Sequence, residues 1–156
     1  MKQITQKLGS GVMTVKEFPL PNLGSGMILV KNHYSIISAG TEGSTVKAAR
    51  KSLIGKAKER PQQLKQVIDT LNKQGPIQTY RAVMKKLDSY SPLGYSCAGE
   101  VIEVGKGVTT FKIGDKVACS GVGYANHAEL VSVPVNLCVK LNKDANLKDA
   151  AYNTLG

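Results

Sequence analysis

Several residue types that define common protein classes are scarce in this 156-residue chain. It has no tryptophan, two phenylalanines and two histidines, and its three cysteines form no C-x-x-C pair. Cysteines spaced in this way support neither a zinc-ligand set nor a disulfide framework. No run of about 18 apolar residues is present, and the segment from Met1 to Lys7 lacks the apolar centre of a signal peptide. We therefore expect a cytoplasmic protein that does not span a membrane.

A dinucleotide-binding fingerprint is also missing. Short glycine pairs such as Gly9–Gly11, Gly24–Gly26 and Gly121–Gly123 occur, but none has the third glycine or the strand–helix setting of G-x-G-x-x-G. These pairs are typical of turns. The length fits one domain, and an apolar content of 42% is ordinary for a globular protein.

The most informative stretch of the chain runs from Pro92 to Val117. Its β-branched segment Glu100–Val104 predicts a strand, which Gly105 and Gly107 end in a turn. Gly114 predicts a second turn before another strand, which continues to Cys119. Further strands are predicted by the same kind of pattern at Lys2–Gly9, Met13–Glu17, Met27–Ser35 and Leu137–Leu141, and a helix is predicted from Leu147.

Between these strands lies a segment with helical periodicity. Ser44 is a candidate cap for a first helix with Val46, Ala49 and Leu53 on one stripe. A second helix begins at Pro61, has the stripe Leu64, Val67, Ile68 and Leu71, and ends at Gly75 and Pro76. A third places Ile77, Tyr80, Met84 and Leu87 on one face. We expect these narrow stripes to pack on the barrel or on one another.

Most of the net charge comes from this segment. Between Ser44 and Asp88 there are eleven Lys or Arg residues and three acids, so the segment carries +8 of the total +10. One interpretation is a basic face that attracts an anionic ligand or partner, and the other is a solvated helix surface. Nucleic acid is an unlikely partner because Tyr80, the only aromatic residue in the segment, lies on an apolar stripe and leaves no stacking platform.

The glycines and apolar residues from Pro92 to Val117 follow the pattern G-x-x-x-x-G-x-V-x-x-V-G-x-G-V-x-x-F-x-x-G-D-x-V. This pattern resembles the GroES-like catalytic domain of the medium-chain dehydrogenase/reductase superfamily. The resemblance implies a mainly β fold: a partly open β-barrel with two or three inserted helices. Residues 1–148 would form the domain, with the insertion at 44–88. Residues 149–156 would begin a linker helix to an absent nucleotide-binding domain.

The octet from Ser35 to Glu42 resembles a zinc-independent branch that includes bacteriochlorophyllide dehydrogenases and bi-domain oxidoreductases of polysaccharide clusters. Zinc alcohol dehydrogenases carry a cysteine ligand where this chain has Ser38, and a histidine and glutamate where it has Tyr95 and Ser96. A neutral hydroxyl is a poor zinc ligand, and the cysteine-rich structural-zinc lobe is also missing. The resemblance therefore implies that no zinc is bound.

The resemblance places Ser38, Thr41, Glu42, Tyr95 and Ser96 in the catalytic cleft, with Tyr95 or Glu42 suited to proton transfer. Alternatives remain for each group. Tyr95 and Ser96 also fit a tight backbone turn, and Thr41 and Glu42 fit capping of the first inserted helix. His127 can titrate near neutral pH, but a histidine on a barrel strand is the favoured interpretation.

The implied function is the substrate-side domain of a zinc-independent, NAD(P)-dependent alcohol dehydrogenase-like oxidoreductase, acting on an anionic sugar or nucleotide-sugar. NAD or NADP would be held by the missing C-terminal Rossmann domain, so we expect the isolated chain to be inactive and to bind no cofactor tightly. The alternative is a non-enzymatic GroES-like module that docks an acidic partner through its basic helices. The choice of NAD or NADP, the reaction direction, the oligomeric state and the presence of a further oxidoreductase domain stay open.

Overall fold

The computed structural model describes residues 1–51, 55 and 61–153. Its strands are β1 Lys2–Lys7, β2 Met13–Glu17, β3 Met27–Ser35, β4 Tyr90–Pro92, β5 Ser96–Val104, β6 Lys116–Ser120, β7 Leu130–Pro134 and β8 Cys138–Lys140. Its helices are α1 Ala39–Arg50, α2 Pro61–Asp88 and α3 Leu147–Asn153, and a 3-10 turn spans Val135–Leu137. None of the helices in these ranges is long and apolar enough to cross a membrane.

The chain folds into two compact units. The first contains Met1–Thr5, Val15–Ser38 and Pro92–Gly156, and the second contains Gln6–Thr14 and Ala39–Ser91. The boundaries between the two units fall inside β1 and inside β2. Together with β4, these strands form a three-stranded sheet of order β2-β1-β4. The predicted architecture, a β framework with helices inserted between strands, is confirmed.

The first unit is built on a five-stranded antiparallel sheet of order β7-β3-β5-β6-β8. Ile28 and Val30 of β3 are fully buried in its main core, together with Val101, Val117 and Val133 from other strands of the sheet. Leu29, which alternation assigns to the other face, is also buried. β3 thus has buried residues on both faces, which explains why its sequence alternates imperfectly.

The second face of this sheet is covered by α3. Ala150 and Ala151 of the helix form a small core with Ala98 of β5 and Ala118 of β6. Small side chains at these four positions allow a helix to approach the strands closely. The helix predicted from Leu147 is therefore confirmed, and it is an integral layer of the first unit.

In the second unit, α1 begins six residues earlier than a cap at Ser44 predicts. Ser44 is not its cap, because its hydroxyl donates to the backbone oxygen of Thr41, three residues back within the helix. The helix instead starts directly after Ser38, a residue type favoured at this position, and has Glu42 in its first turn, where an acid is favourable. Val46 and Ala49 are buried as predicted, whereas Leu53 lies outside the described residues.

α2 is interrupted where the sequence predicts a break. Gly75 has φ 79° and ψ 171°, and Pro76 follows it, so two helical segments meet at this point. The expected packing of their apolar stripes is wrong for several residues, because these side chains are between 41% and 67% exposed: Leu64, Ile68, Leu71, Ile77 and Tyr80. The helical periodicity was correct, but periodicity alone does not supply a partner for the stripe.

Candidate functional site

Three of the predicted site residues surround the start of α1. Ser38 is the last residue of the first unit and is partly exposed. Thr41 and Glu42 lie in the first turn of the helix, in the second unit, where Thr41 is exposed and Glu42 is 9% exposed. Their location agrees with the helix-start alternative, and their part in a catalytic cleft stays a prediction.

The other two predicted residues, Tyr95 and Ser96, lie at the start of β5. Ser96 is fully buried, and its hydroxyl donates to the backbone oxygen of Ala151 in α3 over 2.7 Å. This contact favours a structural role for Ser96. Tyr95 is partly exposed, and its backbone oxygen accepts a hydrogen bond from the amide of Gly121 at 2.8 Å. Gly94, with φ 95°, makes the tight turn before them.

A pocket of about 260 Å³ lies elsewhere in the first unit and contains none of the five predicted residues. It is open to solvent, and its walls come from β1, from the end of β3 and from the segment before β7. The polar side chains along it belong to Lys2, Gln3, Asn32, His33, Tyr34, Ser35, His127 and Glu129. We call it the Ser35–His127 pocket because these two side chains contact each other directly: Nδ1 of His127 lies 2.8 Å from Oγ of Ser35.

His127 is fixed in this pocket by its backbone as well as its ring. Its amide donates to the oxygen of Leu93 at 2.8 Å, and its own carbonyl accepts the amide of Ile4 at 2.8 Å. The residue is 5% exposed. It lies in the loop before β7 rather than on a strand, so the barrel-strand interpretation is wrong. The sequence identified His127 as a candidate for proton transfer. It did not identify the partner, Ser35, because the two residues are 92 positions apart in the chain.

Asn32 of β3 holds the same loop from the other side. Its side-chain amide donates to the backbone oxygens of Asn126 at 3.2 Å and Ala128 at 3.0 Å, on either side of His127. Its backbone amide donates to the oxygen of Glu129 at 2.9 Å. A loop held through this many bonds keeps its histidine in one place, which is a property of binding and catalytic sites.

The three cysteines stand side by side across three strands. Cys97 of β5 lies opposite Cys119 of β6 in the strand register, and Cys119 lies opposite Cys138 of β8. All three cysteines are free thiols. The Sγ atoms of Cys119 and Cys138 are 3.6 Å apart, and Cys138 also donates to the oxygen of Pro134 at 3.3 Å. Hydrogen bonding to Cys119 and burial raise the pKa of the Cys138 thiol. These thiols are therefore core residues and poor nucleophiles.

Metal-ligating side chains do not converge in the part of the chain that the structure describes. Within residues 1–51, 55 and 61–153, no three side chains of His, Cys, Asp or Glu are grouped as a metal site requires. The residues that the resemblance puts in the place of the zinc ligands, Ser38, Tyr95 and Ser96, carry hydroxyls, and that of Ser96 is already bonded to Ala151. These residues do not fit a zinc ion.

Comparison with known proteins gives this fold a class. Residues 67–143 match the family described as the alcohol dehydrogenase GroES-like domain. Together with the sheet and its inserted helices, this match defines a GroES-like domain. The matched segment, just under half of the chain, is thus similar to the GroES-like domain of alcohol dehydrogenases.

Two solved structures show the likeness in three dimensions. Escherichia coli quinone oxidoreductase, in complex with NADPH, is 21% identical with a TM-score of 0.58, over 97% of this chain and 36% of that one. Escherichia coli galactitol-1-phosphate dehydrogenase is 17% identical with a TM-score of 0.65, over 97% and 41%. A curated relative, squalestatin hexaketide synthase of Phoma sp., is 40% identical over 62 residues, which is 40% of this chain and 2% of that protein. The chain thus spans well under half the length of each.

Proposed function

We propose that this chain is the substrate-side domain of an NAD(P)-dependent, alcohol dehydrogenase-like oxidoreductase. The observation that carries the proposal is the match of residues 67–143 to the alcohol dehydrogenase GroES-like domain. The quinone oxidoreductase of similar fold was solved with NADPH. This chain has no G-x-G-x-x-G motif of its own, so its residues do not fit a dinucleotide. We propose that another domain of the whole protein holds the cofactor, which supplies the hydride, and that the protein acts in the cytoplasm.

The whole protein tests this proposal directly. We expect it to oxidise NADPH or NADH in the presence of a carbonyl acceptor, with the loss of nicotinamide absorbance as the measurement. The isolated chain is the matched control, and we expect it to show neither turnover nor micromolar affinity for NADPH by calorimetry. A whole protein that is inert toward a broad panel of ketones, aldehydes and quinones with both cofactors would remove the proposal.

We also propose that the reaction proceeds without zinc. The support comes from the hydroxyl side chains of Ser38, Tyr95 and Ser96 at the ligand positions of the zinc enzymes. Activity should therefore survive prolonged dialysis against a chelator. Elemental analysis that found about one zinc per chain, lost when Ser38 or Tyr95 is changed, would contradict this part. Ser38 and Tyr95, both partly exposed in the first unit, stay in the proposed site.

The substrate that we propose is anionic, such as a phosphorylated sugar or a nucleotide-sugar. The support is the basic segment, whose described cations include Lys65, Lys73, Arg81, Lys85 and Lys86, all exposed. Lys56, Lys58 and Arg60 also belong to it by sequence but lie outside the described residues. A positive surface raises the local concentration of an anion and is weakened by salt.

Charge reversal tests the steering. Changing Lys65, Lys73 and Lys85 together to Glu should lower kcat/KM at low salt and flatten its dependence on ionic strength, with little change in kcat. Lys106, Lys112 and Lys143, which are exposed in the first unit, provide the control triple. An identical salt profile for both triple variants would favour a merely solvated helix surface.

A second candidate function is a binding module for an acidic partner. The observation that favours it is the exposure of Ile77 and Tyr80, each 67% exposed on a helix that also carries Arg81, Lys85 and Lys86. An apolar patch beside cations is a common form of docking surface. Two measurements separate the candidates. A binding module predicts that the whole protein does not oxidise NADPH or NADH. It also predicts that the protein binds an acidic polypeptide in a salt-sensitive way, and that Tyr80→Ser abolishes this binding.

A further inference from the structure

We propose that the Ser35–His127 pocket binds the uncharged hydroxyl or carbonyl end of a small substrate, and that Ser35 and His127 form the proton-transfer pair for its oxygen. The proton-transfer part rests on the proposed oxidoreductase function, whereas the binding part does not. Neither residue belongs to the five that the resemblance to zinc-independent dehydrogenases singles out.

The size and charge of the pocket indicate the class of ligand. A volume of about 260 Å³ lies just below the usual range for drug-sized ligands, so it suits a compound no larger than a monosaccharide. The charged residues along the wall are Lys2 and Glu129, which are opposite in sign. Since Glu129 accepts the backbone amide of Lys2 at 2.7 Å, its carboxylate is already engaged. The wall therefore offers hydrogen bonds without a net charge that would select an anion.

The pair is built to keep one geometry. Asn32 holds the backbone on both sides of His127, Leu93 and Ile4 hold its amide and carbonyl, and Gly94 lies directly against its ring. Ser35 stands at the end of β3, which is hydrogen bonded to β5 at this point. A preformed donor or acceptor binds a ligand oxygen without losing further side-chain entropy.

The 2.8 Å contact between Oγ of Ser35 and Nδ1 of His127 can carry a proton in either direction. In a reduction, for which the cofactor of the whole protein would supply the hydride, the carbonyl oxygen would take the hydroxyl proton of Ser35. Ser35 would then take the Nδ1 proton of a doubly protonated His127. This leaves a neutral imidazole with its proton on Nε2, which takes up a proton from solvent to restore the pair. His33 and Tyr34 also line the pocket, and Ser35→Ala tests the pair because it changes neither of these residues.

The binding test uses the chain itself. It contains only two histidines, so a sample with 15N-labelled histidine gives few imidazole signals, and His33→Asn assigns them. Dihydroxyacetone, a small neutral hydroxy-ketone, is the probe. We expect a saturable shift of the His127 nitrogens that Ser35→Ala abolishes and Ser35→Thr retains. Ser25→Ala is the matched control, because Ser25 donates to a backbone oxygen on the surface, outside this pocket. No saturable shift up to the solubility limit, or one that persists in Ser35→Ala, overturns the proposal.

The proton-transfer test uses the whole protein and its nicotinamide assay. Ser35→Ala should lower kcat by about 10²-fold or more and change the solvent deuterium isotope effect, whereas Ser35→Thr should restore most of the rate. If the wild-type protein oxidises NADPH but Ser35→Ala leaves kcat and the isotope effect unchanged, the pair is not catalytic and the oxidoreductase proposal stands. If the wild-type protein is inert while dihydroxyacetone still shifts His127, the oxidoreductase proposal falls and the binding site stands.

Discussion

Substituting Gly94 by alanine perturbs the Ser35–His127 pocket through a single added methyl group. Gly94 has φ 95°, a conformation that side chains rarely adopt, and a Cβ atom there would lie 2.7 Å from the backbone nitrogen of His127 and 2.8 Å from its Nδ1. His127 cannot yield without loss, because that nitrogen donates to Leu93 and that Nδ1 contacts Ser35. We therefore expect Gly94→Ala to destabilise the protein through two separate effects.

The magnitude can be divided between them. A left-handed backbone conformation costs an alanine about 1–2 kcal/mol. Forcing a methyl group into a filled space costs about 1–3 kcal/mol more, which gives a total of about 2–5 kcal/mol. Gly114→Ala is the matched control, since Gly114 has φ 87° but no heavy atom within 4 Å of an added Cβ. Gly114→Ala should therefore lose only the free energy of the left-handed backbone conformation. Both variants also reduce the conformational entropy of the unfolded chain, and this stabilising effect cancels when the two are compared.

Urea unfolding followed by circular dichroism measures both free energies of unfolding. Gly94→Ala should be less stable than Gly114→Ala by about 1–3 kcal/mol, since only the packing contribution differs. In the 15N-histidine spectrum, only Gly94→Ala should move the His127 signals. Equal destabilisation by the two variants, with His127 unmoved in both, would show that the ring does not lie against Gly94.

Two further predictions concern the charges and thiols of the first unit. The ammonium group of Lys140, 2.6 Å from Asp115, together with the backbone amide of Lys112, holds the pKa of the Asp115 carboxyl below its usual value. This stabilisation is complete above the usual aspartate pKa and is lost as the pH falls through the lowered one, so Lys140→Gln should weaken the acid dependence of urea unfolding. Cys97 and Cys119 are buried, and the pKa of Cys138 is raised, so iodoacetamide should alkylate the native protein slowly at neutral pH and the urea-unfolded protein rapidly. Fast alkylation of all three thiols in the native state would contradict this arrangement.

The parts of the fold that sequence predicts well are those set by neighbouring residues. β3 occupies the predicted range Met27–Ser35, and the positive φ angles of Gly107 and Gly114 fall in predicted turns. The break in α2 at Gly75 and Pro76 is local in the same sense. In each case the conformational preference of one or two residues decides the outcome, so no knowledge of distant contacts is needed.

The features that the sequence did not predict depend on contacts between residues that are far apart in the chain. β4 at Tyr90–Pro92 is only three residues long and is defined by pairing in the sheet of β1 and β2, which no local pattern reveals. The Ser35–His127 contact and the alignment of the three cysteines both depend on strand register and loop placement. A residue-by-residue resemblance does not find such a pair, because it assigns roles only to positions that match a known motif.

The packing of α3 sets where this protein can be cut. Removing the chain from Leu147 onward would strip Ala150 and Ala151 from the sheet, uncover Ala98 and Ala118, and remove the hydrogen bond from Ser96 to Ala151. A shortened version that ends at residue 146 should therefore aggregate or unfold, whereas one that ends after Asn153 keeps the whole layer. For domain exchange with proteins of similar fold, the junction belongs beyond this helix.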